Sequence, residues 1–144
     1  MSTRCQIGFY ETASQPQGQP SALIYRHNDG YPAGEHGVME VLVPWARAFE
    51  KVRGLSDAEY ASARALFALM SATTGLEETT GYGISEDFHG DLSFYYRVDP
   101  NAISVYRCGP DGKKLFSVPI HEPSMKAQLR DARGRFAPRS VGRK

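Results

Sequence analysis

Apolar and polar residues alternate from Thr3 to Tyr10, which places Cys5, Ile7 and Phe9 on one face of a predicted strand. The Ser-, Gln-, Gly- and Pro-rich run from Glu11 to Pro20 reads as a loose loop, and Ala22 to His27 then returns as a hairpin partner. Side chains alternate along a strand, so Arg26 and His27 project from opposite faces and cannot both line one flat surface. Asn28-Asp29-Gly30 with Pro32 turns the chain towards a helix.

In that helix Val38, Leu42, Trp45, Phe49 and Val52 recur at three- and four-residue spacing and predict one buried face, running to about Arg53 before Gly54. Pro44 removes a hydrogen bond at a cost of about 3 kcal/mol and predicts a kink or restart near Val43. Ser56 and Glu59 have the spacing of a capping box, launching a second helix to about Thr73, before Gly75. Its expected buried stripe is Ala63, Leu66, Phe67 and Met70, edged by Tyr60 and Leu69.

Thr79 to Ile84 opens the second half with glycines that predict a tight backbone path, and no Gly-Lys-Ser/Thr follows to make a phosphate-binding P-loop. Phe88-His89-Gly90-Asp91 turns into a strand from Leu92 to Val98, with Leu92, Phe94, Tyr96 and Val98 on the core face and Ser93, Tyr95 and Arg97 on the other. Ala102 to Cys108 pairs back, and Leu115 to Ile120 makes a last strand whose Pro119 marks an edge. The order is ββααββββ, an α+β fold: an antiparallel sheet with two helices packed on one face.

Composition changes this picture little: 41% hydrophobic and 23% charged residues in 144 describe one soluble domain. No apolar run approaches the roughly 20 residues of a membrane span, and the N-terminus lacks a signal-peptide pattern, so a cytosolic location is expected. Cys5 and Cys108 lie in predicted strands without metal or redox spacing and are expected to be buried, reduced thiols. Charge divides the chain more sharply. Residues 1–122 hold 10 Lys/Arg against 15 Asp/Glu, whereas 123–144 hold 7 against 1. A ligand-binding domain over 1–122 and a basic tail over 123–144, mobile or partly helical around Lys126 to Arg133, are therefore expected, and the acidic body argues against long nucleic acid as a partner.

The stretch Tyr25 to Pro32 carries more chemistry than its turn requires: Arg26, His27, Asp29 and Tyr31. Trp45 offers either core packing or a π surface, and Arg64 lies one helical turn from Tyr60. The triplets His27-Asn28-Asp29 and His89-Gly90-Asp91 recur at corresponding strand ends, with His36 and His121 elsewhere. Two chemistries are open to these residues. One is a metal- or His/Asp-dependent phosphodiesterase acting on a small nucleotide, although nothing in the spacing fixes convergence of metal ligands. The other is pure binding: Arg26 and Arg107 on phosphates, Trp45 and Phe88 stacking a purine, Asp29 or Asp91 on ribose hydroxyls.

Four blocks carry a family resemblance: Ser2-Thr3-Arg4-Cys5-Gln6-Ile7; Tyr25 to Pro32; Arg53 to Arg64; and Gly81-Tyr82-Gly83-Ile84 with Phe88-His89-Gly90-Asp91. Over about Thr3 to Cys108 the chain resembles the small phage-encoded Thoeris anti-defence sponge proteins. The resemblance implies a non-enzymatic protein without cofactors that binds cyclic ADP-ribose isomers and holds them intact. In the cytoplasm of the infected bacterial host, this would keep an NAD-consuming antiviral effector inactive. It further implies homo-oligomers, dimers or hexamers, whose shared pockets would draw Trp45, Arg64, Phe88 and Arg107 from two chains. Some members also sequester cyclic oligonucleotides, so cyclic di- or trinucleotides are a second expected ligand. The ligand-binding set expected on these grounds is Arg26, His27, Asp29, Tyr31, Trp45, Arg64, Phe88, His89, Asp91 and Arg107, with no catalytic or metal-binding residue. The basic tail lies outside the resemblance.

Overall fold

Every residue of the first strand, β1 (Cys5–Phe9), is buried, because it lies inside a six-stranded sheet covered on both sides. The computed structural model describes residues 3–72 and 81–121. After β1 come β2 (Ala22–Arg26), α1 (Val38–Val52), α2 (Ala58–Ser71), β3 (Tyr82–Ile84), β4 (Phe94–Val98), β5 (Ala102–Arg107) and β6 (Lys114–Pro119). This is the expected ββααββββ order in an α+β fold. The sheet runs β3-β2-β1-β4-β5-β6 and is antiparallel except between β1 and β4, which pair in parallel. That exception follows from the connection: the chain leaves β2, passes through both helices and β3, and returns on the far side of β1.

Alternation assigns two faces to the sheet. Cys5, Ile7, Phe9, Ile24, Tyr96, Val98, Ile103 and Val105 meet the buried sides of α1 and α2. On the opposite face, which the helices leave open and loops cover, Tyr10, Leu23, Leu92 and Tyr95 form a second, smaller core. There Tyr95 donates its phenol proton to Tyr10 at 2.5 Å, and Tyr10 donates its own to the carbonyl of Gln17, also at 2.5 Å. Gly8 lies under this pair, and a Cβ there would meet the Tyr95 hydroxyl at 1.9 Å. Arg97 completes the seal: it pairs with buried Asp99 at 3.1 Å, bonds the carbonyls of Ala13 and Gln15 at 3.0 Å, and covers the Tyr10 ring at 3.9 Å. Thus the polar loop after β1 becomes a lid over the open face.

Several local expectations need correction. α1 continues without a restart through Pro44, which is exposed, and its buried residues are Val38, Met39, Leu42 and Ala46. Trp45 and Phe49 are half-buried, while Val52 is 85% exposed. α2 has Asp57, not Ser56, at its N-cap, with no side-chain capping bond; Asp57 accepts instead from Arg53 Nε at 3.0 Å. Its buried stripe is Ala58, Ala61, Ala65 and Leu69, leaving Ala63 exposed and Phe67 71% exposed. The alanine stripe has the same helical period and lets α2 approach α1, β1 and β2 closely, so proximity prevails over side-chain size. Leu92 precedes β4 and packs on the open face, and Cys108 follows β5 in an exposed left-handed turn (φ 73°). The expectations for Thr73, Gly75, Thr79, Thr80 and the tail from 123 lie outside the described residues. No described helix is long and apolar enough to cross a membrane.

Candidate ligand-binding site

At the end of the sheet where β2 stops and β4 begins, Tyr25 stands on the open face beside β1. His27 lies two residues on and shares that face, and the Tyr25 hydroxyl sits 2.8 Å from its Nδ1. With the His27 proton on Nε2, the phenol donates and Nδ1 accepts. Burial pushes the Tyr25 pKa up; Arg4 opposes that shift and Asp91 adds to it, so the phenol keeps its proton at neutral pH.

The loop before β4 brings the second triplet to the same ring. His89 stacks on Tyr25 with centroids 4.3 Å apart and planes 15° from parallel. Asp91 forms an ion pair with Arg4, and its other oxygen lies 3.9 Å from His89 Nδ1, too long for a hydrogen bond. Phe88 turns the other way and meets Tyr95 edge-on at 5.7 Å. The result is a shelf of two stacked rings, its outer imidazole partly open to solvent, flanked by a cation, a carboxylate and a second imidazole. Such a shelf can stack a flat heterocycle and offer hydrogen bonds to its polar substituents.

The structure thus brings His27, His89 and Asp91 together, with Phe88 in the same loop, and places the other expected residues elsewhere. Arg26 faces the helix side and is occupied by its own turn: it donates to the carbonyls of Asn28 at 2.8 Å and His36 at 3.0 Å, near the Tyr82 ring. Asp29, in a left-handed conformation (φ 58°), accepts from Tyr31 at 3.2 Å, and the Tyr31 hydroxyl also lies 3.0 Å from the Glu35 carbonyl. Trp45 and Arg64 line an open apolar groove of about 450 Å³ between α1 and α2, with Phe49, Val52 and Phe67, on the opposite side of the sheet from Tyr25. Arg107 is exposed at the end of β5, 5.9 Å from the Phe94 ring, and Phe94 packs on the helix side. Within one chain the ten residues do not form a single pocket.

His36 and His121 join neither triplet; they lie near Glu35 and Glu50 respectively. Among the described residues no cluster of three or more His, Cys, Asp or Glu could hold a metal ion. Sequence reasoning missed Arg4 and Tyr25 as members of the site. The available signal was the shared face of Tyr25 and His27, two residues apart. Arg4 had no signal, because its pairing with Asp91 depends on the parallel β1–β4 contact. Comparison with family models, curated proteins and solved structures found no match to the chain.

Proposed function

We propose that this protein is a phage anti-defence sponge that binds cyclic ADP-ribose isomers and holds them chemically unchanged in the cytoplasm of the infected bacterial host. The observation supporting this reading is the convergence of the two most distinctive motif blocks, Tyr25 to Pro32 and Phe88 to Asp91, on one stacked ring pair. A cyclic ADP-ribose offers a purine to such a shelf and two phosphates to nearby cations, and sequestration requires affinity and slow release without bond making. Homo-oligomers with shared pockets would bring Trp45, Arg64 and Arg107 to the ligand from a second chain. Cyclic di- or trinucleotides are proposed as a further ligand class.

The approach of Asp91 to His89 at 3.9 Å supports a competing reading, a phosphodiesterase in which the imidazole acts as acid or base. Calorimetry with cyclic ADP-ribose isomers and cyclic oligonucleotides, followed by heating the complex and identifying what is released, separates the two. Intact ligand bound tightly is the expected result. Cleaved product would establish the hydrolase instead, and no binding would remove both.

A further inference from the structure

Gln6 is polar, is the second residue of β1 and is fully buried. Burying a primary amide there is unfavourable unless its donors and acceptor are satisfied. Gln6 meets that condition entirely through the loop that carries the second triplet. Its Nε2 donates to Ser85 Oγ at 2.9 Å and to the Asp87 carbonyl at 3.1 Å, and its Oε1 accepts from the His89 amide at 3.0 Å. The last two bonds straddle Phe88: the carbonyl before it and the amide after it are held by one side chain, much as a neighbouring strand would hold them.

The register shows why this matters. Gln6 is paired with Tyr25 on one side and with Tyr95 on the other. With the backbone clamped on both sides of Phe88, that residue falls on Tyr95 and His89 falls on Tyr25. We infer that Gln6 is the positioning residue of the site, presenting His89 to Tyr25 and so building the ring shelf on which a ligand's base stacks. The clamp needs a donor and an acceptor at the reach of a glutamine: glutamate lacks the donor, asparagine is shorter by a methylene, and leucine leaves both backbone groups without their partner. That the shelf receives a nucleotide rests on the function proposed above; the placement of His89 does not.

The two are tested separately by Gln6→Glu and Gln6→Leu, read by proton NMR of the His89 ring and by calorimetry. In the wild type, the stack on Tyr25 displaces the His89 ring protons upfield, and the bond to Oε1 slows exchange of the His89 amide relative to Gly90 beside it. Both variants are expected to bring the ring signals towards exposed-histidine values and to weaken capture of cyclic ADP-ribose by about tenfold, a loss the size of one hydrogen bond. Adding His89→Ala to Gln6→Leu should then produce little further loss, since both changes remove the same contact. His89 signals unmoved in both variants would overturn the inference. If neither variant folds, a wild-type His89 amide exchanging as fast as that of Gly90 overturns it, and a protected one supports it. Signals that move in a protein that binds no nucleotide would leave Gln6 as the positioning residue and remove the sponge reading alone.

Discussion

Tyr25 and His89 lie face to face, 4.3 Å between ring centres, and this contact joins a strand in the first half of the chain to a loop in the second. The Tyr25 hydroxyl also reaches His27, so one phenol touches an imidazole from each His-x-Asp triplet. Neither contact is needed to close the main core, which lies on the other side of the sheet. Tyr25 does pack against the smaller core on its own side, so changes there leave the main core intact and act on the smaller one.

Tyr25→Phe keeps the stack and removes the hydrogen bond to His27; Tyr25→Ala removes both. The first should weaken capture by up to about tenfold, the range of a neutral hydrogen bond, and the second by more. Calorimetry on the two variants checks this, and equal losses would mean that the hydroxyl, not the stacked ring, carries the interaction.

Arg97 should behave in the opposite way, as a residue of stability. Its partner Asp99 is buried with it, and its guanidinium also holds Gln17 and the carbonyls of the loop after β1. Arg97→Met leaves a buried carboxylate without its cation and should destabilise the protein by about 3 kcal/mol or more. Urea denaturation measures the loss, and hydrogen exchange should show amides of residues 11–20 opening first.

Much of the architecture was legible because it depends on local periodicity. Cys5, Ile7 and Phe9 alternate and Pro119 marks an edge strand, and each lies where expected. The parallel pairing of β1 with β4 was not legible, because it follows from where the crossover returns rather than from any property of the strands. The orientation of α2 failed for a related reason. Two faces of that helix have the same period, and the choice of Ala61 and Ala65 over Phe67 is made by the neighbours it approaches. In the site, the His-x-Asp triplets were visible, but their convergence on Tyr25 depends on Gln6 and Arg4, whose partners are remote in sequence.

Arg107 tests whether a second chain completes the pocket. It is exposed and lies towards the helix side, so Arg107→Ala should change stability by no more than about 0.5 kcal/mol. With pockets shared between subunits it should nevertheless weaken capture several-fold. Phe88→Ala should do both, lowering the melting temperature through its lost contact with Tyr95 and weakening capture through the disturbed loop. Unchanged affinity in Arg107→Ala would remove that residue from the pocket.

The last prediction concerns alkaline pH. Cys5 is fully buried, and burial raises its thiol pKa from 9.0 to about 12, with Arg26 opposing the shift. An unfolded chain ionises this thiol near 9.0, whereas the folded chain keeps it protonated towards about 12, so unfolding in that window releases a proton. The stability contributed by the protonated thiol is complete below pH 9 and declines as pH rises, by about 1.4 kcal/mol per pH unit for one group. Burial also raises the phenols of Tyr10, Tyr95 and Tyr96 above 10.0, so they add to the decline only from about pH 10 upward. Urea midpoints followed from pH 8 to 10.5 should therefore fall from near pH 9 in the wild type. In Cys5→Ala they should start lower, because of the cavity, but remain level until near pH 10. Parallel curves for the two proteins would show that the thiol is not the source of the first decline. A thiol reagent at pH 8 gives an independent check: exposed Cys108 should react readily, and Cys5 only when the chain is unfolded.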